Sequence, residues 1–323
     1  MRLRIDLVRP VPDTALGLLM CLAPVSVAGD IAFVTCQNSD ELSVIDLERA
    51  AEVDRIALPG QPAGVAVGAA GDVFTVSPGS KTIRRLSTQS HEVLAETQLD
   101  GGPTGIALDP PHGRLFVSDW YNARLWVLGS ETLEVLGEVP TGAAPAGIAI
   151  SDDGRFVASA DKDADQVSVF DATTFEPLRQ ITVGTRPFGL NFAPDGLLFV
   201  GNVGSNDVSV LDVATGKTRA TIPVGERPYG VGFAAGRAFV TDQYANTVSV
   251  IDLETLTREA TIGVGEYPEG IDVTLDGQSV VVANWFDNSV SVIDPNGLSV
   301  LNTINTCDGP RAFGRFLLGG GNQ

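Results

Sequence analysis

Apolar β-branched and aromatic residues fall in runs of four or five along this chain, with turn residues between them at short intervals. In the stretch from Arg237, Ala238-Phe239-Val240-Thr241 is one such run and Val248-Ser249-Val250-Ile251-Asp252 is a second, with alternation. Glu259-Ala260-Thr261-Ile262 follows the turn around 253–257, and Gly270-Ile271-Asp272-Val273 is entered through Pro268 and left through Leu275-Asp276-Gly277. Short runs of this kind, bounded by Gly, Pro and Asp, predict strands. Period-3.6 patterning over ten or more residues is missing, which argues against a helical solenoid.

The same unit recurs along the chain. Repeats begin at Ile31, Asp72, Arg114, Arg155, Leu197, Arg237 and Gln278, run 41, 42, 41, 42, 40, 41 and 43 residues, and fill positions 31 to 320. Four short strands per unit of about 40 residues predict an all-β, seven-bladed propeller with four antiparallel strands per blade. The phase of the repeats also predicts how the ring closes. The chain enters at 31–35, a second strand, and 310–317 supplies an innermost strand with no partners after it, so the two ends share one blade and leave no long open edge.

These motifs resemble the YVTN-type β-propeller repeat proteins. The signature strand stands here as Phe-Val-Thr-Asp at 239–242 and Phe-Val-Gly-Asn at 199–202. Val-Ser-Val-Ile-Asp occurs at 248–252 and 290–294, and Val-Gly-x-x-Pro-x-Gly at 183–189, 224–230 and 264–270. The resemblance covers essentially all of 29–323. It implies the fold and says little about activity, since such propellers serve as binding and surface proteins, as partners of quinoprotein dehydrogenases, and occasionally as lyases or lactonases.

Residues 1–28 have a different character. Arg2, Arg4 and Arg9 precede an apolar run from Ala15 to Ala23, then the small residues Ser26 and Ala28, the order of a secretory signal cut after Ala28. Met20 before Cys21 argues against a lipoprotein signal. The domain division is therefore a signal peptide at 1–28 and the propeller at 29–323, in a periplasmic or secreted protein with no membrane span. Cys36 and Cys307 then remain. The first ends the second strand of the closing blade and the second precedes its innermost strand, so they are expected at the same end of an antiparallel pair, within disulfide range.

Charge and composition mainly exclude. With 21 Lys+Arg against 40 Asp+Glu the formal charge is −19, and no basic cluster offers a face to nucleic acid. Two histidines, His91 and His112, sit in separate turns, so a His-rich metal site is excluded, and Cys-x-x-Cys-His for covalent haem is absent. No Gly-rich loop opens a helix to hold phosphate. No cofactor and no catalytic residue is assigned, and the balance leans away from an enzyme. Asp161, Asp163 and Asp165 resemble the opening of a calcium loop, but Gln166 and Ala172 stand where Gly and Glu are required, which favours a solvated loop over weak Ca²⁺ binding.

What remains is the face where second strands end and innermost strands begin. The residues ending the second strands are Cys36, Ser77, Asp119, Asp161, Asn202, Asp242 and Asn284, all polar, and satisfying backbone groups would account for that column. The flanking positions are uneven round the ring. Arg186 and Phe188, Arg227 and Tyr229, Tyr267 and Glu269, and Arg311 stand at the Pro-x-Gly entries, with Gln243, Tyr244, Trp285 and Phe286 just past second strands and Trp120 and Tyr121 across the ring. Aromatics with Arg in one sector match binding hot spots, while packing between blades is the competing explanation. The expectation is a monomer whose channel mouth binds a protein partner or small ligand, aromatics giving area, Arg186, Arg227 and Arg311 pairing with anions, Asp242 and Glu269 orienting them. The alternatives are a lactonase-type hydrolase or lyase with Asp242 or Glu269 as base and an Arg as electrophile, and a structural cell-surface protein.

Overall fold

The computed structural model describes residues 29–68 and 71–320; the predicted signal segment lies outside them. Seven sheets are arranged as a propeller, each ordered from an inner strand to an outer one. The sixth repeat shows the pattern: Arg237–Asp242 pairs antiparallel with Thr247–Asp252, which pairs with the outer Thr257–Gly263. The inner strand, Pro228–Ala234, comes from the preceding sequence repeat and pairs with Arg237–Asp242 through a bulge between Pro228 and Val231. Each second strand is buried along both faces because its alternate side chains enter the seams with the two neighbouring blades. Phe33, Phe74, Phe116, Phe199 and Phe239 repeat in those seams, each at most 1% exposed.

The glycine of Pro-x-Gly is a packing requirement. A Cβ on Gly189 would collide with the carbonyl oxygen of Tyr229 in the next blade, and one on Gly105 would collide with that of Ala146. Inner strands can therefore approach closely enough to close a narrow ring only where the side chain is a hydrogen. Hydroxyls from second strands complete the seam by donating to the same carbonyl row: Thr35 to Ala63 at 2.8 Å, Ser118 to Ala146 at 2.7 Å and Thr241 to Glu269 at 2.8 Å.

The two ends share a blade as the repeat phase predicts, with one departure. Leu317–Leu318 pairs with Ile31–Ala32, and Pro310 bridges Cys36, so the C-terminal segment is the inner strand of the closing blade at both of its ends. Between them, seven steps from 310 to 317 face only four from 36 to 32, and the surplus leaves the blade. Phe313–Arg315 crosses instead to Gly64–Ala66 of the next blade and pairs in parallel, making a five-stranded sheet. The expected continuous strand is thus divided, and its centre satisfies a neighbouring free edge. Cys36 and Cys307 form the disulfide, with Cα atoms 5.8 Å apart across 271 positions of sequence. No helix among the described residues is long and apolar enough to cross a membrane.

Candidate functional site

The face predicted to carry function is built in two layers, set by the positions before and after each entry proline. The position before each entry proline turns outward, in the left-handed region at Arg186 (φ 55°), Arg227 (φ 58°) and Tyr267 (φ 60°). Gln61 (φ 60°) and Ala144 (φ 53°) share the conformation before their own prolines, so the turn belongs to the repeat and the sector differs only in carrying large side chains there. The position after the proline turns inward over the channel, bringing together Phe188, Tyr229, Glu269 and Arg311 from four consecutive blades.

The inner layer closes the channel. The Phe188 ring lies 4.5 Å from Tyr229 and 5.1 Å from Phe313, which reaches across from the divided C-terminal strand, and Tyr229 and Phe313 are 5.5 Å apart. Phe188 and Tyr229 were expected to offer contact area; at 9% and 3% exposure they instead form a plug. Beside it, Arg311 Nε faces Glu269 Oε2 at 2.9 Å, Arg311 Nη2 donates to the Tyr229 hydroxyl at 3.1 Å, and Arg311 Nη1 donates to Gln37 Oε1 at 2.8 Å. Gln243 Nε2 donates to Glu269 Oε1 at 2.7 Å. Gln37 and Gln243 occupy the same repeat position, one past the end of the second strand, a correspondence the sequence contained. Phe313 gave no such signal, because it stands where the repeat is broken.

The outer layer is a rim of aromatic rings. Tyr244 and Tyr267 have centroids 5.4 Å apart, Tyr267 meets Trp285 at 5.6 Å and Phe286 at 4.8 Å, and Trp285 meets Phe286 at 4.6 Å. Tyr244 is 48% and Phe286 58% exposed. The Arg227 guanidinium lies 4.5 Å over the Tyr244 ring and donates through Nη1 to its hydroxyl at 3.0 Å. Arg227 Nε, Trp285 Nε1 and Gln243 Oε1 are buried without hydrogen-bond partners among the described residues, a cost that native structures usually offset with water or a ligand. Arg186 is exposed in the adjacent blade. Trp120 and Tyr121 lie apart from this rim: Trp120 sits 6.1 Å from Phe188 and under Lys162 at 4.7 Å, and Tyr121 stands 76% exposed.

Asp242 belongs to neither layer. Its carboxylate points into its own blade, taking the Gly225 N–H at 3.0 Å, the Ser249 hydroxyl at 2.7 Å and the Thr247 hydroxyl at 2.9 Å. Asp119 and Asp161 do the same for the N–H groups of Gly102 and Gly142, at 2.8 and 2.9 Å. The three aspartates of the polar column therefore anchor the incoming interblade loops. The run considered for calcium is divided among separate partners: Asp161 is buried in its blade, Asp163 meets Lys162, and Asp165 accepts the Arg186 N–H at 2.7 Å.

Burial pushes the Glu269 carboxyl above its ordinary value, against the opposing pull of Arg311 and Gln243, and burial likewise raises Asp161, Asp242 and Asp272. The Tyr267 phenol is pushed up to about 12 by burial and by the hydrogen bond with Tyr244, so it stays protonated. Folded carboxyls with raised values bind protons before unfolded ones, so their contribution to stability is full at low pH and is lost as pH rises through the raised values. Turn carboxylates such as Asp171, Asp212 and Asp252, lowered chiefly by backbone N–H bonds, behave oppositely and lose their contribution as pH falls below about 4. Urea midpoints are thus expected to be highest in mildly acidic solution, lower at pH about 7.5 and lower again below pH about 4; a midpoint rising steadily to alkaline pH would show that the buried carboxyls are not raised.

A family model described as a YNCE-like beta-propeller matches residues 24–195 and 191–316. The chain belongs to the YNCE-like β-propeller family. Among curated proteins, none matches it. Solved structures share the family fold at low identity. Kuenenia stuttgartiensis hydrazine synthase is 18% identical with a TM-score of 0.72, covering 80% of this chain and 90% of that one. A functionally unknown protein from Desulfotomaculum acetoxidans is 16% identical with a TM-score of 0.74, covering 88% and 97%. A streptogramin B lyase is 18% identical with a TM-score of 0.68, covering 80% and 91%. At such identities the likeness of this YNCE-like chain to each is one of fold.

Proposed function

We propose that this protein is an exported binding or accessory protein that captures a protein partner on the rim formed by Arg227, Tyr244, Tyr267, Trp285 and Phe286. The observation that carries the reading is the continuous aromatic stack, half-exposed at both ends, beside the Arg227 guanidinium that lies over the Tyr244 ring. Rigid aromatics next to arginine are the usual composition of interface hot spots, because they bury area at small entropic cost and desolvate the charge. A partner surface that places a carboxylate against Arg227 and Arg186 would complete the rim. The plug beneath makes this face shallow, which suits a macromolecule better than an enclosed small molecule.

The lactonase-type alternative has less support, since Asp242 is committed to its own blade and Glu269 is 2% exposed and ion-paired. Export accords with the Cys36–Cys307 disulfide, which is characteristic of oxidising compartments. Quinoprotein dehydrogenases, which propellers of this kind accompany, are one class of candidate partner.

Affinity capture from the periplasmic fraction of the source organism tests the reading, comparing wild type with the Tyr244→Ala, Phe286→Ala double variant. Both side chains are exposed, so the fold should be retained while binding falls by a factor of about 100 or more, from two hot-spot truncations. Equal recovery of the same partner by both proteins would refute the rim as its site.

A further inference from the structure

The plug closes the channel at the rim face only. Behind it a cavity of ≈ 460 Å³ runs along the ring axis and opens on the opposite face. Its walls are the inner strands, with Ile106, Ile148, Leu190, Val231 and Ile271 contributing apolar surface from five blades. The blind end holds Phe313 and Glu269, and Glu269 is already engaged by Arg311.

Among the described residues lining this cavity, Arg315 is the one cation. Arg315 lies two residues beyond Phe313 on the short strand displaced from the closing blade, so its side chain leaves the same side of the strand. It is exposed although it lines the channel, and among the described residues its guanidinium makes no hydrogen bond or ion pair. The buried Asp272 carboxylate in the same wall feels the Arg315 charge and accepts the N–H groups of Phe316 and Leu317 at 2.8 and 3.0 Å. Asp152 is exposed and also lines the cavity. Apolar inner-strand walls around a guanidinium that makes no hydrogen bond or ion pair among the described residues form a site for an amphipathic monoanion.

We propose that the channel binds a small organic anion with an apolar body, such as a medium-chain carboxylate, its head group on Arg315 and its tail along the inner-strand walls. This site is separate from the rim and does not depend on the rim reading. The volume falls in the usual range for small-molecule sites. The displacement of Phe313–Arg315 from its own blade acquires a consequence, since it both stops the channel and places the charge.

Calorimetric titration of the purified protein with octanoate and with octan-1-ol tests this. Saturable binding of one octanoate per chain is expected, with the neutral alcohol weaker by about tenfold or more, as loss of a charge-assisted hydrogen bond requires. Arg315→Gln should weaken octanoate to the level of the alcohol, whereas Arg315→Lys should keep most of the affinity. The rim variant Tyr244→Ala, Phe286→Ala should bind octanoate as wild type does. Absence of octanoate binding, equal affinity for acid and alcohol, or unchanged binding in Arg315→Gln would each overturn the proposal.

Discussion

Replacing Cys36 and Cys307 with serine is expected to lower stability by about 5 kcal/mol, the largest single loss available in this chain without touching its blades. The bridge joins positions 271 apart, so it confines nearly the whole unfolded chain to a loop, and the entropic benefit grows with loop length. It also reinforces a weak place. In the closing blade the inner strand is joined to its neighbour by a single bridge at Pro310 and a two-residue pairing at Leu317–Leu318, whereas the sixth-repeat inner strand pairs at Pro228 and then without a break over Val231–Ala234. Reduction of the wild type should reproduce the loss. Thermal unfolding followed with and without reductant would reveal it as a drop of the order of 10 °C in midpoint, and coincident curves would mean that strand exchange alone closes the ring.

The second large effect is expected at Arg311. Truncation to alanine removes the ion pair at 2.9 Å from Glu269 and leaves a carboxylate that is 2% exposed with only Gln243, the Tyr229 hydroxyl and the more distant Arg227 charge to offset its burial. Breaking one side of a buried pair costs about 3–5 kcal/mol, because the remaining charge keeps its desolvation penalty. The sign of the pH dependence follows. Burial already raises Glu269, and without Arg311 it would rise further, so the deficit should be largest at neutral pH and shrink as the carboxyl takes up a proton. Urea denaturation at pH about 7.5 and about 5 checks this. Replacing both partners, as in Arg311→Met with Glu269→Gln, should recover most of the stability. A single variant as stable as wild type at both pH values would place the ion pair outside the energetics of the closing blade.

Much of the architecture was legible in the sequence because strand length, alternation and the entry proline recur with every blade, and the period alone sets the fold. Ring closure and the disulfide were legible for the same reason: Ile31 starts out of phase, and Cys36 and Cys307 fall at one end of the blade that results. The site was only half readable. Arg227 and Tyr229 are two positions apart and would share a face in a regular strand, yet one lies on the rim and the other in the plug. The left-handed turn at Arg227, directly before Pro228, separates them, and a residue type that seldom adopts that conformation gives no warning of it. Asp242 was grouped with the aromatics by its place at a strand end, where the Gly225 N–H instead requires an acceptor. Phe313 and the channel behind it could not be read at all, since both arise where the repeat is broken by the surplus residues of the last strand.

On the proposed function, a partner is expected to sit on the aromatic rim and on no other part of this face. A photo-crosslinking residue placed at Phe286, with the same residue at the exposed Tyr121 across the ring as comparison, tests it in the source organism. An adduct is expected from position 286 that disappears with Arg227→Ala and is absent from position 121. Equal adducts from both positions, or an adduct at 286 indifferent to Arg227, would contradict it.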